Sequence, residues 1–147
     1  MIKNIGLWLD HRKAVILVLR GKSEELKKIE SNIERHVRFR GGTKGRMPYA
    51  AQYFVAEDRT DKRLIGQLNK YYREIIGSVR GADSILLMGP GEAKHELESR
   101  MNRARMKSRI AEVQTADKLT ERQLIAKVRK YYKDLSVQNR QSSTSIR

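Results

Sequence analysis

The chain has 147 residues, 32 of them lysine or arginine against 17 aspartate or glutamate, for a formal net charge of +15. That length fits one domain and leaves no room for a long second one, and the charge excess points to a polyanionic partner, nucleic acid ahead of an anionic membrane surface. There is no cysteine, which excludes a disulfide framework, a thiol nucleophile and a cysteine zinc site.

The three histidines, His11, His36 and His95, are too scattered to suggest a metal cluster, so no metal and no cofactor is expected. The opening residues, MIKNIGLWLDHRK, lack the apolar run and small-residue cleavage site of a secretory signal. No stretch approaches the roughly 20 apolar residues that span a bilayer. A cytoplasmic protein without a membrane partner is expected.

In the first strand Ile5, Leu7 and Leu9 alternate, with Trp8 facing the other way, and Asp10-His11-Arg12-Lys13 gives a turn. Ala14 to Leu19 is a continuous apolar run rich in β-branched residues, the pattern of a central strand buried on both faces. After a turn at Gly21-Lys22-Ser23, a more polar third strand is expected from about Leu26 to Val37, with Ile29 and Ile33 as its apolar points. Three strands joined by short turns make an antiparallel meander.

Phe39-Arg-Gly-Gly-Thr-Lys-Gly-Arg46 is glycine-rich and basic and fits neither a strand nor a helix interior. Pro48 suits a first helical turn. The apolar period then becomes helical, through Leu64, Leu68, Tyr71, Tyr72, Ile75 and Val79. This long helix is expected to break near Thr60 and to close at Gly81. Ser84 to Met88 is a short buried strand, and Gly89-Pro90-Gly91 leads into a helix with Ala93, Leu97 and Met101 on one face. Ile110 to Val113 is a further strand. Thr120 and Gln123 have the spacing of a capping box at the start of the last helix, whose core side carries Leu124, Val128, Tyr131 and Tyr132. Residues 136–147 are polar and aperiodic and read as a disordered tail.

The order is β-β-β-α-β-α-β-α. It predicts a single α/β domain over residues 1–135, with a mixed five-stranded sheet covered by helices, an order shared with ribonuclease-H-like folds.

Several motifs in this order carry a family resemblance: Gly6-Leu-Trp-Leu-Asp-His-Arg12, Arg40-Gly-Gly-Thr43, Leu86-Leu-Met-Gly-Pro-Gly-Glu-Ala-Lys-His-Glu-Leu97 and Thr120-Glu-Arg-Gln-Leu-Ile-Ala-Lys127. From about Ile5 to Leu135 the chain resembles the middle domain of the eukaryotic and archaeal class 1 peptide release factors, to which Pelota is related. It is similar also to the short bacterial translational machinery proteins. The resemblance implies a place in translation, with ribosomal RNA or tRNA on the ribosome as partner and ribosomal proteins as further ones. In the release factors the loop after the third strand carries Gly-Gly-Gln, whose glutamine helps position water against the peptidyl-tRNA ester. Here Thr43 follows Gly41 and Gly42, and its side chain is too short for that place. The resemblance therefore implies the fold and an RNA-binding loop rather than peptide release.

The first candidate binding site is this loop. Arg38, Arg40, Lys44 and Arg46 can neutralise phosphates, Gly41 and Gly42 let the backbone approach closely, Phe39 can stack on a base or anchor the loop, and Thr43 completes the motif. A second basic block, Arg100 to Arg109, offers Arg103, Arg105 and Lys107 as an extension, although a cationic helix end also complements the helix dipole.

Gly89-Pro-Gly-Glu-Ala-Lys94 joins a strand to a helix start, but lacks the ending of a phosphate-binding loop and reads as a structural connection. Asp10, with Glu57 or Asp58, raises the metal-dependent nuclease chemistry of ribonuclease-H-like enzymes. The fourth strand ends in Met88-Gly89, and Asp83 sits at its opposite end, so the carboxylate set is incomplete and Asp10 reads as a turn residue. No catalytic residue is assigned. A residual hydrolase acting on peptidyl-tRNA or RNA, and a protein-interaction module of the translation machinery, stand as the alternatives. The tyrosine pairs Tyr71-Tyr72 and Tyr131-Tyr132 each place at least one ring on a helix's apolar stripe, which favours core packing with the hydroxyl reaching water.

Overall fold

The alternation along the first strand divides the interior into two cores. In β1 (Lys3–Leu9), Ile5, Leu7 and Leu9 enter one core and Trp8 the other. In β2 (Lys13–Arg20), Ala14, Ile16 and Val18 join the first core, while Leu17, flanked by Val15 and Leu19, joins the second. The structure, a computed structural model, describes the backbone of residues 2–33 and 58–146 and the side chains of residues 2–33 and 62–138.

Five strands form one sheet in the order β3-β2-β1-β4-β5. β3 (Ser23–Glu30) and β1 flank β2 antiparallel, while β4 (Ser84–Gly89) pairs parallel with β1, and β5 (Ile110–Thr115) parallel with β4. The parallel pairs require crossovers, and helices supply them. α1 (Asp58–Val79) and α2 (Ala93–Arg103) cover the first face, burying Tyr71, Tyr72, Ile75, Val79, Leu97 and Met101. A 3-10 turn (Lys107–Arg109) then leads into β5. α3 (Glu121–Ile146) covers the second face, through Leu124, Val128 and Tyr132.

Among the described residues the expected order of elements holds, and so does the capping box at α3. The Thr120 N–H donates to Gln123 Oε1 at 2.9 Å, and the Gln123 N–H donates to Thr120 Oγ1 at 3.1 Å.

Two boundaries differ from the sequence reading. β3 stops at Glu30 rather than near Val37: it exhausts the eight residues of β2 available for pairing, and Asn32 then takes a left-handed φ of 62°. The helix expected from Pro48 with a break near Thr60 is described only from Asp58 onward, so its earlier part lies outside the described residues. α3 continues through Ile146, past the Ser136 boundary given to a disordered tail. Residues 136–146 contain neither glycine nor proline, so nothing local ends the helix.

Two glycines let elements approach closely. A Cβ on Gly6 would stand 2.2 Å from Val128 Cγ2, so its absence seats α3 directly on β1. A Cβ on Gly89 would stand 2.3 Å from the Leu9 carbonyl oxygen, so only glycine fits the end of β4 beside β1.

Candidate nucleic-acid interface

Residues 34–57, which include Arg38, Phe39, Arg40, Gly41, Gly42, Thr43, Lys44 and Arg46, lie outside the described residues. The residues that lead into it, Ser31 to Ile33, do not: they leave the sheet end formed by the carboxyl ends of β1 and β3 and the start of β2, where a dense set of hydrogen bonds fixes a stem.

The stem is built from the turn upward. The Asp10 carboxylate accepts the backbone N–H groups of Arg12 and Lys13 at 2.8 and 2.9 Å, a side-chain-closed turn. Ser31, buried just beyond β3, donates its N–H to the Arg12 carbonyl at 2.9 Å and its hydroxyl to the His11 carbonyl at 2.7 Å. Its Oγ accepts the Ile33 N–H, and the Ile33 side chain is buried. From α1, Gln67 donates Nε2 to the Ser31 carbonyl at 3.0 Å, and the Tyr71 hydroxyl donates to the Asp10 carbonyl at 2.9 Å. The β1–β2 turn, the exit from β3 and the middle of α1 are thus one locked unit.

A polar group continues this edge onto α2. The Tyr72 hydroxyl donates to Glu96 Oε1 at 2.6 Å, His11 Nε2 approaches the same oxygen at 3.2 Å, and the Arg100 guanidinium lies 4.9 Å from the Tyr72 ring centroid. Burial pushes the Tyr71 and Tyr72 phenols far above the ordinary tyrosine value. The Asp10 charge adds to the effect at Tyr71, and the Glu96 hydrogen bond adds to it at Tyr72. Both hydroxyls donate to partners within the protein, which the sequence reading did not give. Their partners come from other elements of the fold.

The second basic block lies at the other end of the sheet. α2 starts after the carboxyl end of β4 and runs back, so Arg103, Arg105 and Lys107 sit near the amino ends of β4 and β5. All three are exposed. Arg105 takes a left-handed φ of 64°, and the buried Met106 anchors the turn. Arg109 is structural: its Nη1 donates to the Ala82 carbonyl at 2.7 Å, tying β5 to the α1–β4 turn. A six-residue strand spans about 20 Å, so an RNA contact joining this block to the stem must cover the length of the sheet.

The remaining candidates are connections. The Gly89 carbonyl accepts the Ala116 N–H, the buried Lys94 Nζ donates to the Gly91 carbonyl at 2.8 Å, and the Glu92 carbonyl accepts the N–H groups of His95 and Glu96. Asp83 accepts the Lys3 N–H at 2.8 Å, at the opposite end of the sheet from Asp10. Among the described residues, no three histidine, aspartate or glutamate side chains are grouped to hold one metal ion, and no helix is long and apolar enough to cross a membrane.

One feature on the α3 face has no counterpart in the sequence reading. Trp8 donates Nε1 to the carbonyls of Ala116 and Asp117, each at 3.1 Å, and thereby holds the β5–α3 connection over the sheet. A cavity of about 190 Å³ opens beside it, bordered by Lys13, Lys28 and Lys118. These lysines come from two strands and a loop, so no sequence spacing groups them.

Comparison with known proteins places this architecture. Among solved structures, the chain is similar to the Pelota protein of Thermoplasma acidophilum, with a TM-score of 0.51 and 12% identity over 83% of this chain. It is similar also to Pelota of Archaeoglobus fulgidus, with a TM-score of 0.52 and 14% identity over 87%. The fold is ribonuclease-H-like. The chain spans 30% and 31% of those two Pelota chains, a part of each rather than the whole. No protein-family model matches the sequence, and no curated protein matches it significantly.

Proposed function

We propose that this domain binds RNA on the ribosome, ribosomal RNA or tRNA, as a translation-related protein that does not release peptides. One observation carries the reading: a chain of net charge +15 concentrates five arginine or lysine residues and no acid between Arg35 and Arg46, in the segment that follows directly from the locked stem at Ser31 to Ile33. A fixed stem leading into a cationic, glycine-containing segment supports phosphate recognition, which requires positive charge and close backbone approach. Arg38, Arg40, Lys44 and Arg46 neutralise phosphates, Gly41 and Gly42 allow the approach, and Phe39 stacks on an unpaired base. The ribonuclease-H-like fold shared with Pelota and the resemblance to release-factor middle domains support the ribosome as the setting, while Thr43 in place of the glutamine argues against peptide release.

The test is salt-dependent binding of purified ribosomal RNA by the wild type and by a variant with Arg38, Arg40, Lys44 and Arg46 all changed to alanine. The variant is expected to bind more weakly, with the slope of log affinity against log salt lower by about four, one for each cation. Unchanged affinity and slope remove this segment from the interface.

A further inference from the structure

The cavity beside Trp8 has an apolar floor and a cationic rim. Trp8, Val15 and Leu124 form the floor, and Lys13, Lys28 and Lys118 surround the mouth. Among the described residues that line it, Glu121 is the one carboxylate, and Glu121 is already ion-paired with Lys28. Among the described residues neither Lys13 nor Lys118 has an acidic partner, although Glu30 stands opposite Lys13 in the strand register. The first turn of α3 closes one side, but its N–H groups at Thr120 and Gln123 are used by the capping box, so the helix end is not what attracts a ligand.

Size narrows the occupant. At about 190 Å³ the cavity falls below the roughly 300–1,000 Å³ of pockets that enclose whole drug-sized ligands. It accommodates one flat apolar group, with an anion held at its mouth. We infer that it is a nucleotide subsite: one base of a single-stranded RNA enters against Trp8 and Val15, and its phosphate lies between Lys13 and Lys118. This inference rests on the RNA-binding reading and adds to it a second contact, on the α3 face, independent of residues 34–57. A nucleotide fits better than an acidic peptide because Trp8, Val15 and Leu124 give the cavity an apolar side beside its lysines, and acidic side chains bring no ring to cover it.

Trp8 is the protein's single tryptophan and lines this cavity, so its emission follows events there, and the lysine variant below assigns the signal to the cavity. The experiment titrates the full chain with adenosine 5′-monophosphate and with a short single-stranded oligoribonucleotide, following Trp8 emission and, separately, the anisotropy of a label on the RNA. A saturable change in Trp8 emission is expected with both. In Lys13→Gln/Lys118→Gln its midpoint should rise at least about tenfold, and the salt slope should fall by about two. Because Lys118 is exposed and Lys13 half-buried, and neither has an acidic partner among the described residues, the urea midpoint of the variant should stay close to the wild type. If the RNA binds by anisotropy while Trp8 emission stays flat and the lysine variant binds equally well, the subsite is refuted and the RNA-binding reading stands. If no RNA binds, that reading fails, and the mononucleotide titration still decides the cavity. A response to an acidic peptide, with none to adenosine 5′-monophosphate, also overturns the proposal.

Discussion

Gly6→Ala is expected to destabilise the protein by about 3 kcal/mol or more, beyond the usual cost of one surplus methyl group in a packed core. The new Cβ would lie 2.2 Å from Val128 Cγ2, 2.7 Å from Cγ1 and 3.0 Å from Cβ. Rotating the valine does not relieve this, because both methyl groups and their parent carbon crowd the same point. α3 must then lift from β1, which loosens the contacts that depend on the same approach. The Tyr132 hydroxyl donates to the Ile5 carbonyl at 2.7 Å, one residue from Gly6, and Leu124 and Val128 pack in the core with Trp8. The coupling is directly measurable. Val128→Ala alone should cost roughly 2 kcal/mol for the space it leaves. In the double variant the methyl groups that clash are gone, so its loss should fall short of the sum of the two single losses by at least about 1 kcal/mol. Urea unfolding of the three variants checks this, and strict additivity would show that Gly6 does not set the helix–sheet distance.

The second large effect is a loss of stability in alkali. Burial pushes the Tyr132 phenol up to about 12, and drives Tyr71 and Tyr72 further in the same direction. In the unfolded chain a tyrosine loses its proton near pH 10. Above that pH the unfolded state binds fewer protons than the folded one, so stability falls as pH rises, by about 1.4 kcal/mol per pH unit for each such tyrosine. The stabilisation is fully present below about pH 10 and disappears as pH climbs through the folded-state values. With three such phenols, the fall approaches about 4 kcal/mol per unit at its steepest, a large share of a small domain's total stability. Lysines lose charge over the same range, so the decisive comparison is with Tyr132→Phe. That variant should lose about 1 kcal/mol near neutrality with its hydrogen bond to Ile5 and then decline less steeply, by about 1.4 kcal/mol per pH unit. Urea midpoints from neutral pH upward test it, and parallel curves for the two proteins would contradict the assignment.

The fold was legible where a local pattern had one geometric solution. Ile5, Leu7 and Leu9 against Trp8 define a strand with two occupied faces, and the run from Ala14 to Leu19 is apolar throughout because β2 has a core on each side. Thr120 and Gln123 announce a helix start through a purely local exchange of hydrogen bonds. The misjudged boundaries were set at a distance. β3 ends where its partner strand ends, and the polar residues after Ser136 continue a helix begun by a buried segment. The candidate interface was half legible. Charge and glycine content singled out the segment around Gly41–Gly42, but the stem that leads into it is assembled by Ser31, Gln67 and Tyr71 reaching turns far away in sequence. The cavity beside Trp8 was invisible for the same reason: Lys13, Lys28 and Lys118 become neighbours only when α3 closes over the sheet. Conversely, the basic run from Arg100 to Arg109 looks uniform in sequence, yet Arg109 is spent on the Ala82 carbonyl while Arg103, Arg105 and Lys107 face outward.

The central claim, ribosomal RNA as the working partner, is tested most directly by sedimenting the tagged protein from cell lysate through sucrose gradients at low and at moderate salt. Co-migration with ribosomes or one subunit, persisting at moderate salt and lost when Arg38, Arg40, Lys44 and Arg46 are alanine, is the expected result. Protein that stays at the top of the gradient at both salt concentrations would contradict a stable ribosomal association.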